Sequence, residues 1–168
     1  MIKKLDRLIK PDLFITDLHQ IDFRQLYDQG FRLVMLDIDN TLARHGALTA
    51  DDYARSARDR IRDAGLQAWI ISNGGERRVH SYAASLGLPC VPMANKPSRR
   101  ALRLACRQCG LQPGQAVMIG DQLLTDMVSA HRAGCLAVLV RPRFRKEAWN
   151  VRLKRYLEKI FYHRYQLR

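Results

Sequence analysis

Five short apolar runs punctuate the chain: FRLVMLDI (31–38), QAWIIS (67–72), PCVPMA (89–94), AVMIG (116–120) and LAVLVR (136–141). They are rich in Val, Ile, Leu and Met and alternate little with polar residues, which is how strands covered on both faces read. Four stretches of helical character fall between them: DDYARSARDRIRDAG (51–65), ERRVHSYAASLG (76–87), SRRALRLACRQCG (98–110) and LLTDMVSAHRAG (123–134). Each closes on a glycine, at Gly65, Gly87, Gly110 and Gly134, the residue favoured just past a helix C-terminus. Strand and helix in alternation predict an α/β fold, a doubly wound Rossmann-like parallel sheet of about five strands.

Two flanks lie outside that pattern. Residues 1–30 form an N-terminal extension in which DLHQIDFRQLYDQG (17–30) reads as a helix leading into the first strand. Residues 142–168 read as a basic amphipathic helix, with Trp149, Leu153, Leu157, Ile160 and Phe161 on one face and Arg152, Arg155 and Lys159 elsewhere. No repeat, low-complexity tract or long linker divides the 168 residues, so they read as one domain, 1–168, with its core at 31–141.

In an open parallel sheet, ligands bind at the carboxyl ends of the strands. The first run delivers Asp37, Asp39, Asn40 and Thr41 there; the second, Ser72, Asn73 and Gly74. Asn95 and Lys96 follow the third, and Gly120 and Asp121 end the fourth, with Asp126 five residues on. Four strands thus bring polar groups to one edge, and the set suits a narrow chemistry. A carboxylate such as Asp37 can attack a phosphate ester covalently, provided that positive charge offsets the repulsion. Lys96 offers one such charge. A Mg²⁺ ion held by Asp37, Asp121 and a backbone carbonyl would offer more, because that ion prefers hard oxygen ligands. Ser72 and nearby amides suit the non-reacting phosphoryl oxygens, and Asp39 suits proton transfer.

Charge narrows the partners. With 29 Lys and Arg against 16 Asp and Glu, the formal net charge is +13, which favours nucleic acid, acidic lipid headgroups or phosphorylated ligands without choosing among them. No run approaches the roughly 20 apolar residues that span a bilayer. Asp6, Arg7, Lys10 and Asp12 interrupt any signal-peptide core, and the chain reads as cytoplasmic. Cys106 and Cys109 form a lone C-x-x-C with no second ligand pair; they read as ordinary thiols rather than a zinc site.

DIDNT, SNGG, NKP and GDQLLTD resemble, in order, the four motifs of the haloacid dehalogenase (HAD) superfamily of phosphohydrolases. KPD near the N-terminus, LDIDNTL, KPSRRAL and the basic end are similar to subfamily IIIA and its YqeG-type branch, which resembles phosphatidylglycerophosphate phosphatases. The resemblance implies that Asp37 is nucleophile and Mg²⁺ ligand, and that Asp39 is acid–base and lends its main-chain carbonyl to the metal. It further implies that Ser72, with Asn73 beside it, holds phosphate, that Lys96 balances charge, that Asp121 completes the metal site and that Asp126 supports it. An acid at position 39 accompanies hydrolytic members rather than ion transporters or dehalogenases.

Plainer readings stand beside these. Taken alone, Asp37 and Asp39 suit a turn, Ser72 a helix cap, Lys96 an exposed loop and Asp126 a structural acceptor. Arg44 and His45 sit where a small flap would lie, and Arg77 and Arg78 read as a solvated helix start. Roughly thirty residues separate Asp39 from Ser72, room for a flap and one helix but no cap domain. An uncapped site suits a phosphate carried on something large, such as a lipid headgroup at the inner membrane face. The alternatives are a soluble nucleotide, a sugar phosphate or a nucleic-acid end, or a non-catalytic RNA-binding adaptor. Tyr156, Tyr162 and Tyr165 among arginines would suit single strands, but no nucleic-acid fold accompanies them.

Overall fold

The computed structural model describes residues 2–144 and 161–165. Its six strands are β1 (Leu13–Ile15), β2 (Leu33–Leu36), β3 (Gln67–Ile71), β4 (Cys90–Val91), β5 (Ala116–Gly120) and β6 (Leu136–Val140). They form one sheet in the order β1-β6-β5-β2-β3-β4, and every pairing is parallel. All five expected strands are present. The sixth comes from the N-terminal extension, where β1 pairs Leu13 with Val138 at the sheet edge. An edge strand of three residues with only Ile15 buried carries too little apolar periodicity to announce itself.

Six helices cover the sheet: α1 (Ile2–Ile9), α2 (Phe23–Asp28), α3 (Asp52–Asp63), α4 (Glu76–Leu86), α5 (Arg100–Gln108) and α6 (Val128–Ala133). Alternate residues of β2 face opposite layers. Val34 and Leu36 pack with Ala57 and Ile61 of α3 and with Val79 and Leu86 of α4. Leu33 and Met35 pack with Leu102 and Ala105 of α5 and with Ala130 of α6. Each such Val, Leu, Ile or Met side chain, withdrawn from water, contributes about 1.5–3 kcal/mol, so the two layers fix the sheet from both sides.

The expected helix over 17–30 is divided. Asp17 caps a 3₁₀ turn at Leu18–Gln20, and Asp22 caps α2 by accepting from the Gln25 amide at 2.9 Å. Two caps so close leave Ile21 extended between them and stop one helix from running through. Of the expected C-terminal helix, Trp149, Leu153, Leu157, Ile160, Arg152, Arg155 and Lys159 lie outside the described residues. Residues 161–164 are helical, and Phe161 and Tyr162 pack against the α1/α5/α6 layer.

From β2 the chain winds outward through β3 to β4, then crosses back to β5 and β6 on the other side of β2. The order therefore reverses between β2 and β5, and the crevice beyond their carboxyl ends is the switch point where such sheets bind ligands. Between β2 and α3 there is only loop and turn, and between β3 and β4 only α4. Neither connection contains a cap.

Candidate active site

Asp37 follows the last residue of β2, and its amide donates to the Ile119 carbonyl of β5 at 3.0 Å. That bond carries the sheet ladder one step past the strand and fixes the carboxylate at the switch point. Asp39 lies two positions on, beyond the buried Ile38. There the chain turns sharply, with Asn40 at φ 61°, a left-handed conformation that Asn tolerates better than most residues.

Lys96 arrives from the far side of β3. Its ammonium donates to Asp37 Oδ1 at 2.8 Å and to the Ile71 carbonyl at 2.9 Å, and lies 2.6 Å from Asp126 Oδ1. The side chain is 2% exposed, so all three partners are needed to offset its desolvation. Asn73 aligns it: the Lys96 amide donates to Asn73 Oδ1 at 2.7 Å, and Asn73 Nδ2 donates to the Lys96 carbonyl at 3.1 Å. Ser72 is buried at the end of β3, where its Oγ accepts from the Gly74 amide at 3.2 Å.

Asp121 directly follows β5. Asp126 stands on a π-helical turn, Leu123–Met127, that precedes α6, and accepts from the Gln122 amide at 3.1 Å. Turns of this kind recur at functional sites. Gly120 makes room for this carboxylate, since a Cβ there would lie 2.4 Å from Asp126 Cγ.

Asp37, Asp121 and Asp126 are all buried, and their carboxylate oxygens come within 4.8 Å of one another. Three carboxylates thus crowd one buried space, with the Lys96 ammonium beside two of them. Burial accordingly pushes the Asp37 carboxyl up to about 7; Lys96 pulls the other way, and the charges of Asp126 and Asp39 add to the rise. Burial works against the Lys96 ammonium, but Asp126 and Asp37 outweigh it and hold its pKa above the usual lysine value. An all-oxygen cluster of three buried carboxylates fits a hard divalent cation.

Asp39 faces a different partner. Arg78 on α4 grips its carboxylate at two points, 2.8 and 2.7 Å, and His45 Nδ1 lies 3.3 Å from Oδ1. Arg77 is exposed, as a solvated helix start requires, whereas Arg78 is half-buried. Nothing in the sequence singles out Arg78 among 29 basic residues, because its partner is 39 positions away. Arg143 is a second residue without a sequence signal. Its amide donates to the Asn40 carbonyl at 2.9 Å, its guanidinium donates to the Leu42 carbonyl and to Asp51, and it stacks 3.5 Å over the Tyr53 ring. Arg44 is exposed and lies 5.0 Å over Phe144.

All seven residues singled out in the sequence thus sit at one end of the sheet. The HAD-hydrolase-like family model matches residues 93–154. Over 155 residues, 92% of this chain and 90% of the relative, the sequence is 30% identical to a Bacillus subtilis protein described as "Probable phosphatase YqeG". The chain belongs to the HAD superfamily, in its YqeG-type phosphatase branch. This HAD phosphatase is also 29% identical to a chloroplastic phosphatidylglycerophosphate phosphatase 1 of Chlamydomonas reinhardtii, across 80% of this chain and 54% of that one. It therefore spans about half the length of the algal relative. The cobalt-bound deoxy-D-mannose-octulosonate 8-phosphate phosphatase of Haemophilus influenzae shares the fold, with a TM-score of 0.54 and 18% identity over 67% of this chain and 69% of that one.

Proposed function

We propose that this HAD phosphatase is a Mg²⁺-dependent phosphomonoesterase that works through an aspartyl-phosphate on Asp37 and takes a phospholipid headgroup, such as phosphatidylglycerophosphate, as substrate. The observation that carries the catalytic part is the 2.8 Å contact of Lys96 with Asp37 inside a buried cluster shared with Asp121 and Asp126. An oxygen of Asp37 attacks phosphorus, the ester P–O bond breaks, and Asp39, which takes up a proton once one of its oxygens leaves Arg78 for the substrate, passes that proton to the departing oxygen. Water then attacks the phosphorus of the acyl phosphate and gives a proton to Asp39. Inorganic phosphate leaves and the Asp37 carboxylate is restored.

The remaining side chains serve those two steps. Lys96 offsets the charge that gathers between Asp37 and the phosphoryl oxygens. Ser72 accepts from the Gly74 amide and keeps its own proton to donate to phosphate. Asn73 keeps Lys96 in line, and Arg78 sets the plane of the Asp39 carboxylate by its two-point grip. Mg²⁺, held by Asp37, Asp121 and the main-chain carbonyl of Asp39 with Asp126 in support, supplies charge neutralisation at the phosphoryl oxygens when bound.

The lipid part is supported by the name of the algal relative, by the uncapped crevice and by the basic surface. The test is turnover of phosphatidylglycerophosphate in mixed micelles beside a panel of soluble phosphate esters, each with Mg²⁺. Lipid is expected to be cleaved with the highest kcat/KM, and Asp37→Asn to abolish turnover without lowering the Tm measured in EDTA. Efficient cleavage of a sugar phosphate with the lipid left intact would overturn the substrate assignment.

A further inference from the structure

We propose that the groove between β4 and α5 docks the enzyme on an anionic phospholipid surface, presenting the lipid that carries the reacting phosphate to Asp37 from that side. The choice of occupant rests on the lipid reading above; the groove itself rests on separate observations.

The groove measures about 700 Å³ and lies against the chain segment that leads into the active site. Residues 93–95 line it and run straight into Lys96. They are anchored to the site by the Met93 and Ala94 amides, which donate to the Gly74 and Ser72 carbonyls at 3.0 Å each. A ligand in the groove is thus one short segment of chain away from the ammonium that touches Asp37.

Its chemistry has two parts. Arg99, Arg100, Arg103 and Arg107 line it, and three of them, at 99, 103 and 107, are spaced four apart so that they share one side of α5. Among the described residues, no carboxylate pairs with any of the four, whereas Arg24, Arg58 and Arg62 beneath the opposite face each have an Asp partner. Like charges stacked at this spacing disfavour their own helix; an anion in the groove reverses that effect. Between the arginines stand Met93 and Leu104, 66% and 38% exposed, two of the few large apolar side chains that the described surface leaves in water.

Cationic and apolar groups side by side match the interfacial layer of a bilayer, where phosphates lie above the first methylenes. A free phosphate ester needs no exposed Met or Leu. A single-stranded nucleic acid would draw on aromatic platforms, and among the described residues no aromatic side chain lines the groove. In the described segment 161–165, Phe161 and Tyr162 pack on the core, while Arg164 and Tyr165 bond to Asp6.

The experiment measures sedimentation of the full chain with phosphatidylcholine vesicles containing phosphatidylglycerol. Two double variants are compared, Arg99→Glu/Arg107→Glu in the groove and Arg24→Glu/Arg62→Glu on the opposite side of the sheet, which change net charge equally. The groove pair is expected to weaken vesicle binding by at least about tenfold and the distant pair by less than about twofold. Leu104→Ser, a mild surface change, is expected to weaken binding as well, which covers the case of a groove pair that fails to fold. Equal losses from both pairs, or no loss from the groove pair and Leu104→Ser, overturn the proposal. So does displacement of the protein from vesicles by single-stranded RNA. Vesicle binding that depends on the groove in a protein unable to cleave phosphatidylglycerophosphate would sink the substrate assignment and leave the groove standing; cleavage with groove-independent binding would do the reverse.

Discussion

One hydrogen atom at Gly120 decides where Asp126 can stand. The 2.4 Å approach of a Cβ to that carboxylate leaves no room for any side chain, so Gly120→Ala should push Asp126 away from Lys96 and open the acidic cluster. We expect kcat to fall by at least about tenfold and the Mg²⁺ requirement to rise, as when a supporting carboxylate is lost, measured by phosphate release across a Mg²⁺ titration. Arg78 calls for a different readout, because it touches Asp39 alone within the site. Arg78→Ala should lower kcat by roughly 10–100-fold through a misdirected carboxylate with little change in KM, and Arg78→Lys, which cannot grip at two points, should recover only part of it. An equal rise in KM would show that Arg78 binds substrate instead. Asp37, Asp39, Ser72, Lys96 and Asp121 were legible because each ends an apolar run, and Asp126 because it completes a motif. Gly120 in its packing role and Arg78 were not: what makes them matter is a contact across the fold.

The same divide holds for whole elements. Strands β2 to β6 were legible because apolar residues on both faces leave an unbroken run, and helices α3 to α6 because each ends where glycine enters the left-handed region, as at Gly87 (φ 64°) and Gly134 (φ 91°); α1, which runs into Lys10 and Pro11, gave no such signal. Strand β1 escaped because an edge position needs little burial, and the π turn because its register depends on where Asp126 is held. The loop over 40–51 is the least predictable element, since it contains no regular ladder and is fastened from outside by Arg143. Removing that guanidinium leaves the Leu42 carbonyl and Asp51 Oδ2 without that donor and uncovers the Tyr53 ring. Arg143→Ala should therefore cost about 2 kcal/mol, a fall in Tm of roughly 4–8 °C for a chain of this size, read by thermal melting. It should also lower kcat, because Asp39 sits at the mouth of that loop. A variant with unchanged Tm would remove the loop from dependence on this staple.

At the scale of the molecule, a chain with thirteen surplus positive charges is built around a centre where three carboxylates meet out of water. That inversion has a pH signature. The Asp37 carboxyl lies at about 7 in the folded chain against an ordinary 3.8, so between those values the folded protein holds a proton that the unfolded chain has released. Stability from this group is thus present at low pH and lost as pH rises from about 4 to about 7. Bound Mg²⁺ acts in the opposite sense: it requires the deprotonated cluster, so its affinity, and the stabilisation it brings by binding only the folded state, should grow across the same window. Melting with EDTA should therefore show Tm falling between pH 5 and 7 (about two units inside the titration window), while melting with millimolar Mg²⁺ should show the gap between the two curves widening as pH rises. Asp37→Asn, neutral at every pH, should flatten the first curve and largely close the gap. If the gap instead stayed constant from acid to alkaline pH, the ion would be binding somewhere other than the cluster of Asp37, Asp121 and Asp126.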